Sequence, residues 1–322
     1  MQHKEFSRRF QRFLARTAIQ FCAFIVKIIP ASWAYGFARM VGNFGYIVAS
    51  KQRNIAIESL TIAFGKEKSN DEIAQIARDC FQTMAKIAIE FMLFTERPVF
   101  VDRFVNVKGL ENLDRALAKK SGVIALSAHF GNFPLMCTKL SFAGYKISTI
   151  LRYMRDQWVN NYFYTRRTAL GVGSIYTQPR KQCVEGCLDV LNKKEILFMQ
   201  LDQNFGTGGV WVDFFGKKAG TAKGPIVFAL RTKAPIVPMF IYRTENERQQ
   251  IVIEPEVQLL EGKDTDETIQ LNLQHLTKII ESYIRKYPKE WGWIHRRWKA
   301  RPEEERLNKA QSQESAADQD LA

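Results

Sequence analysis

Apolar residues recur at helical spacing through residues 70–95, at Ile73, Ile76, Ala77, Cys80, Met84, Ile87, Ile89 and Phe91, behind the cap signal Asn70-Asp71-Glu72. That spacing predicts one long amphipathic helix ending before Pro98. Downstream the period changes repeatedly. Short runs rich in Val, Ile and Leu predict strands over 105–107, 122–128, 146–151, 173–176, 196–200, 235–242 and 250–254, and helical spacing fills 109–120, 134–142, 158–170, 179–192, 224–232 and 265–287. Pro134 opens the helix after 122–128, a position that tolerates the missing N–H. Strand and helix alternating this regularly predict an α/β fold with a mostly parallel central sheet flanked by helices.

Two further apolar runs, 17–29 and 33–49, stand near the N-terminus behind Arg8, Arg9, Arg12 and Arg16. Gln20 and Lys27 break the first and Pro30 ends it, so neither is the stretch of about 20 apolar residues a spanning helix needs. No small-residue cleavage site follows, which argues against a signal peptide. Basic residues leading an amphipathic helix predict an element lying in, or dipping into, the cytoplasmic face of a membrane; a pair of ordinary core helices is the competing reading. The expected division is a membrane-associated helical segment over 1–50, an α/β domain over 51–301 and a disordered acidic tail over 302–322.

Charge sharpens this division. Lys and Arg number 47 against 33 Asp and Glu, a formal +14, yet the tail after Pro302 holds six acids against two basic residues, so the rest carries about +18. Such a surface suits an anionic membrane, nucleic acid or an acidic partner protein. Cys22, Cys80, Cys137, Cys183 and Cys187 are odd in number and lack C-x-x-C spacing. They read as free thiols in a reducing compartment, with no zinc pattern.

Four constellations can carry chemistry. His129, in Ser127-Ala128-His129-Phe130-Gly131-Asn132-Phe133-Pro134, follows an apolar run at the strand end where open α/β sheets place ligands, and an imidazole there can act as general base. A satisfied structural histidine is the alternative. Leu201-Asp202-Gln203-Asn204 ends another strand and brings polar groups to the same crevice if the strands are neighbours; an Asx-type turn is the plainer reading. Lys217, Lys218, Thr221 and Lys223 precede the helix at Gly224-Pro225 and suggest an anion site at its N-terminus. Finally, Trp291-Gly292-Trp293-Ile294-His295-Arg296-Arg297-Trp298-Lys299 could stack on bases or sit at a membrane interface.

Taken in order, Ala128-His129-Phe130-Gly131-Asn132-Phe133, Leu201-Asp202-Gln203, Phe214-Phe215-Gly216 with Thr221 and Gly224-Pro225, Pro235-Ile236-Val237-Pro238, and Trp293 to Lys299 resemble the bacterial late lipid A acyltransferases. These are the lauroyl and myristoyl transferases of lipopolysaccharide assembly, within the lysophospholipid acyltransferase group. The resemblance runs from about residue 30 to Pro302. It implies a glycerolipid acyltransferase-like fold on the cytoplasmic face of the bacterial inner membrane, peripheral or with a single N-terminal anchor. It further implies acyl transfer from acyl carrier protein to a hydroxyl of a lipid A precursor, with no metal or other cofactor.

The resemblance implies His129 as base with Arg152 as a catalytic partner, and Asp202 is expected as the nearby acid beside them. Substrate contacts fall to Gly131, Asn132, Phe133, Arg166, Gln203, Lys223, Arg296 and Arg297, with Arg167 an alternative to Arg166. Arg152 and backbone N–H groups near Gly131 would steady the tetrahedral oxyanion. The family places Asp or Glu five residues after the histidine, where this chain has Pro134. Three explanations stand: another acid such as Asp202 or Asp156 orients the ring, Asn132 does so, or the enzyme is weak, a lipid-binding pseudoenzyme. An acyltransferase for another membrane lipid is a further alternative. A nucleic-acid binder would explain the charge but leave the His-Gly-Asn and Asp-Gln strand ends without purpose.

Overall fold

The computed structural model describes residues 13, 16–17, 19–26, 28–96, 99–154 and 156–303; Arg8, Arg9, Arg12 and the tail from 304 lie outside them. Within them the strands are β1 (Val105–Lys108), β2 (Val123–Ser127), β3 (Ile147–Leu151), β4 (Val172–Tyr176), β5 (Ile196–Gln200), β6 (Val210–Phe214), β7 (Lys217–Thr221), β8 (Ile236–Arg243) and β9 (Gln249–Ile253). The helices are α1 (Ala31–Val48), α2 (Ser50–Phe64), α3 (Asn70–Glu96), α4 (Val99–Phe104), α5 (Leu110–Leu117), α6 (Phe133–Phe142), α7 (Gln157–Ala169), α8 (Arg180–Asn192), α9 (Gly224–Thr232) and α10 (Thr265–Lys286).

Seven strands form one sheet in the order β1-β9-β8-β2-β5-β3-β4, parallel at every pairing except β8 with β9. The α/β expectation, with its mostly parallel sheet, therefore holds. β2 lies in the middle and all five of its residues are buried. Val123 and Ala125 join the core layer that also contains Leu135 and Met136 of α6, whereas Ile124 and Leu126 join the opposite layer with Leu191 of α8 and Leu273 of α10. Alternate side chains go to opposite faces of a strand, and because both faces are covered, the run reads as uninterrupted apolar sequence.

Three elements have no counterpart in the sequence reading: α2, the short α4 and the β6–β7 hairpin. Residues 214–224, expected to form an anion site before α9, instead turn back through Phe215 and Gly216, both with positive φ. Two left-handed residues between antiparallel strands match the right-handed strand twist. Thr221 is thereby buried in β7, its hydroxyl donating to the Ala219 carbonyl.

At the N-terminal end α1 is apolar on two sides. Ala34 and Ala38 are buried with Val26, Ile89, Met92 and Leu93, and at Gly42 a Cβ would stand 2.5 Å from the Gln82 Cα of α3. Small residues one turn apart let α1 and α3 approach closely. On the other side Trp33, Met40, Val41, Phe44, Ile47 and Val48 are exposed, Trp33 by 71%. An ordinary core helix does not present such a face. No helix of the described residues is long and apolar enough to cross a membrane.

Two glycines of α1 should therefore respond oppositely to alanine. A Cβ added at Gly36 would meet nothing within 4 Å, so Gly36→Ala should stabilise by about 0.5–1 kcal/mol. Gly42→Ala should cost about 1–3 kcal/mol through overpacking. Denaturant unfolding checks both, and equal effects would contradict the close α1–α3 packing.

Candidate active site

The site forms because β2 and β5 are neighbours. Their register pairs Ser127 with Gln200, and the Leu201 N–H continues the ladder by donating to the Ser127 carbonyl, 3.1 Å away. The residues just beyond each strand, His129 and Asp202, therefore meet at the sheet's C-terminal edge. Asp202 Oδ1 lies 2.8 Å from His129 Nδ1. The carboxylate's other oxygen accepts the His129 backbone N–H at 2.9 Å and the Trp291 indole N–H at 2.7 Å. The imidazole is 24% exposed whereas the Asp202 side chain is fully buried.

These contacts fix the protonation pattern. Burial pushes the Asp202 carboxyl up, but the neighbouring His129 charge and its ring hydrogen bond, the Trp291 indole and the His129 N–H more than offset it. The group therefore lies well below the usual carboxylate range. An ionised carboxylate only accepts hydrogen bonds, so His129 Nδ1 carries the proton and, in the neutral ring, Nε2 carries the lone pair. Gln203 Nε2 donates to that lone pair at 3.0 Å. The arrangement presents one basic nitrogen toward the cleft, with its orientation held from behind.

The turn after His129 is clamped on several sides. Gly131 has φ +54°, and a Cβ there would stand 1.9 Å from the Ile241 carbonyl oxygen of β8. Only glycine fits. The Gly131 N–H donates to the Glu290 carbonyl at 2.8 Å, and the Gly292 N–H donates to the His129 carbonyl at 3.2 Å. Asn132 caps α6 by accepting the Leu135 N–H at 3.1 Å, and its amide donates to Glu90 at 2.8 Å. Phe133 lies edge-on to His129, ring centroids 5.6 Å apart.

Of the residues considered as partners of the ring, Asp202 is the one that bonds it. Asp156 instead caps α7 through the Val159 N–H, 3.1 Å away, and pairs with Arg16 at 2.9 Å. Asn132 is committed to its cap and to Glu90. Pro134 itself sits in the first turn of α6.

Other expected contacts fall elsewhere. Arg297 is fully buried and donates to the Gln203 carbonyl at 3.1 Å, the Gly220 carbonyl at 2.6 Å and Thr221 Oγ1 at 2.5 Å. Burial pulls its guanidinium down to about 10, so it stays charged at neutral pH. It fastens the Gln203 loop to the β7 strand through its two terminal nitrogens, its Nε having no partner, and its complete burial places it as a tie inside the protein rather than the substrate contact expected. Arg166 lies over the Tyr162 ring, 3.5 Å from its centroid, and Arg167 donates to Ser174 at 2.9 Å. Arg152 is exposed just past β3, on the far side of β5 from β2. Lys223 and Arg296 are not fully buried, and among the described residues neither bonds to His129 or Asp202.

Sequence reasoning missed Glu90. This fully buried residue of α3 accepts hydrogen bonds from Asn132, from both Arg243 nitrogens at 2.6 and 3.0 Å, and from Gln249 at 2.9 Å. Burial and the neighbouring Glu90 charge push the Tyr35 hydroxyl of α1 up. A lone carboxylate inside the apolar stretch 87–94 was the available signal. Trp291 and His295 stood out in the sequence only as parts of an aromatic and basic cluster. The five cysteines are free thiols, and Cys80, Cys137 and Cys187 are buried, as the composition suggested.

A histidine and carboxylate pair at this edge of an α/β sheet is a candidate enzyme site. The chain belongs to the bacterial lipid A biosynthesis acyltransferase family, which it matches over residues 1–300. It is 25% identical over 258 residues to the lipid A biosynthesis palmitoleoyltransferase of Escherichia coli (strain K12), covering 78% of this chain and 80% of that protein. It is 24% identical over 212 residues to the lipid A biosynthesis lauroyltransferase of the same organism, covering 63% and 64%. A phosphatidylinositol mannoside acyltransferase of Mycobacterium tuberculosis (strain CDC 1551 / Oshkosh) is 24% identical over 139 residues, 43% of each chain. The protein is an acyltransferase of the lipid A type.

The buried Glu90 cluster gives a stability prediction. Glu90→Ala leaves the Arg243 guanidinium without its main counter-charge and should cost about 3–5 kcal/mol in denaturant unfolding. Replacing both partners, Glu90→Leu with Arg243→Met, should recover most of that loss. A double variant as unstable as the single would contradict the pairing.

Proposed function

We propose that the protein moves a fatty acyl chain from an acyl carrier protein thioester to a hydroxyl of a lipid A precursor or related membrane glycolipid, with His129 as general base. The observation that carries this reading is the His129–Asp202 pair, which leaves Nε2 as the basic atom at the cleft. In this mechanism the acceptor hydroxyl displaces the Gln203 amide from Nε2 and gives its proton there as its oxygen attacks the thioester carbonyl. The charge that develops on the imidazole is met by Asp202. When the tetrahedral intermediate collapses, the C–S bond breaks and the proton on Nε2 passes to the departing thiolate. No acyl-enzyme forms.

The expected oxyanion donors need revision. The Gly131 N–H is already donated to Glu290 and the His129 N–H to Asp202, so those two groups do not serve as the donors. Arg152, exposed at the same sheet edge, suits a lipid phosphate or the carrier's phosphopantetheine phosphate, which a guanidinium can grip with two parallel hydrogen bonds.

The exposed apolar face of α1 supports membrane association. A helix apolar on its outward side, on a chain with formal charge +14, fits the interface of an anionic leaflet. The reading therefore assigns the protein to the cytoplasmic face of the bacterial inner membrane, where an acidic carrier protein can reach it. The mycobacterial relatives, named for acylating a phosphatidylinositol mannoside, favour one alternative acceptor, another membrane glycolipid.

Lipid mass spectrometry of cells with and without the protein should show one acyl chain gained on the acceptor. In transfer assays His129→Ala should abolish turnover, and Asp202→Asn should lower kcat by about 10²- to 10⁴-fold. Asp156→Asn should stay close to the parent. Near-parental turnover in His129→Ala, or equal losses in the two aspartate variants, would overturn the assignment.

A further inference from the structure

The proposed acyl transfer requires a donor for the tetrahedral oxyanion, and several groups near His129 are already engaged. The N–H groups of Gly131, His129 and Gly292 are donated to protein acceptors, and Arg297 is bound to two carbonyls and a hydroxyl. One polar side chain beside the base is not committed. The His295 ring lies 5.2 Å from the His129 ring, centroid to centroid, at an interplanar angle of 62°. Neither of its ring nitrogens has a hydrogen-bond partner among the described residues.

The pairing of two loops positions this ring. The loop after α10 meets the turn after β2, with Phe130 bridged to Trp291 and the Gly292 N–H on the His129 carbonyl. The His295 backbone N–H then donates to the Gly292 carbonyl at 3.1 Å, which curls the loop so that its imidazole returns to the base. At Gly292 a Cβ would stand 3.1 Å from His295 Cδ2 and 3.6 Å from the His129 carbonyl oxygen. A side chain here would crowd the His295 ring by a few tenths of an ångström. Burial, followed by the nearby His129 charge, lowers the His295 pKa. The ring is therefore neutral at physiological pH and keeps one N–H to donate and no charge to repel a protonated His129.

We propose that His295 is a second catalytic residue of this site, its neutral imidazole donating an N–H to the oxygen of the thioester carbonyl as that oxygen becomes an oxyanion. This rests on the acyl-transfer reading above. A reacting centre about 3 Å from both the base and the oxyanion donor is the arrangement such chemistry needs, and the two adjacent rings can serve one carbonyl from the same side. His295 exchanges no proton overall: the acceptor hydroxyl's proton goes to His129 and then to the leaving thiolate, while the His295 hydrogen bond strengthens as charge builds on oxygen and relaxes as the carbonyl re-forms.

The test is steady-state transfer by the full chain in mixed micelles, from acyl carrier protein thioester to a lipid A precursor, with kcat and KM for each substrate. Removing one oxyanion donor typically lowers kcat by about 10²- to 10³-fold. His295→Ala should do so with KM changed less than about threefold, and His295→Gln, which retains an N–H donor, should recover at least about tenfold of the loss. Gly292→Ala, which pushes the ring aside, should lower kcat in the same direction and serves if His295→Ala does not fold. Parental kcat in His295→Ala or in folded Gly292→Ala, a loss through KM alone, or no recovery by glutamine would overturn the proposal. His129→Ala run alongside separates the two readings: inactive His129→Ala with fully active His295→Ala removes only His295, whereas activity in both removes the acyl-transfer site itself.

Discussion

A carboxylate sealed from water is the constraint on which this site depends. The Asp202 side chain is fully buried, and its charge is tolerable because three donors converge on it: the His129 ring, the His129 backbone N–H and the Trp291 indole. The Arg297 guanidinium holds the same loop in place through the adjacent Gln203 carbonyl. An unpaired buried ion costs several kcal/mol. The β2–β5 register, the docking of the loop after α10 and the aim of His129 are therefore satisfied together or not at all. The same low-dielectric surroundings that make the charge costly make its hold on the imidazole strong.

A second buried carboxylate connects the site to the N-terminal helices. Glu90 projects from α3, which packs on α1, and reaches Asn132 at the start of α6 and Arg243 at the end of β8. Arg243 in turn meets Glu247, which pairs with Lys86 of α3 and Arg39 of α1. The helix with the exposed apolar face is thus joined by a continuous run of hydrogen bonds and ion pairs to the turn that carries the base. Packing and charge fix the two layers to each other, so the exposed face of α1 keeps a defined position relative to the turn that carries His129.

Much of this was legible in the sequence because it depends on local periodicity. The fully buried strands announce themselves as short Val/Ile/Leu runs, and the long α3 by its 3.6-residue repeat. His129 and Asp202 could be placed at strand ends, but their adjacency depends on the β2–β5 pairing, and nothing local encodes strand order. The β6–β7 hairpin was missed although Val210, Val212 and Phe214 alternate, because Lys217, Lys218 and Thr221 also resemble an anion loop. Arg297 shows the opposite difficulty. An arginine in a Trp-rich basic cluster reads as a surface contact, and only the fold reveals that its neighbours are buried carbonyls. Glu90 and His295 gain their meaning from partners 42 or more residues away.

Pro134 stands where the resemblance leads one to expect a carboxylate, and Asp202, delivered by a neighbouring strand, bonds the imidazole. Nitrogen-15 NMR of ring-labelled histidine in the intact protein at neutral pH reads this directly. With Asp202 bound at Nδ1, His129 should show a protonated Nδ1 and an unprotonated Nε2, and that signature should be lost in Asp202→Asn. A His129 ring protonated at Nε2 alone, or one unchanged by the substitution, would contradict the assignment of Asp202 as the partner of the base.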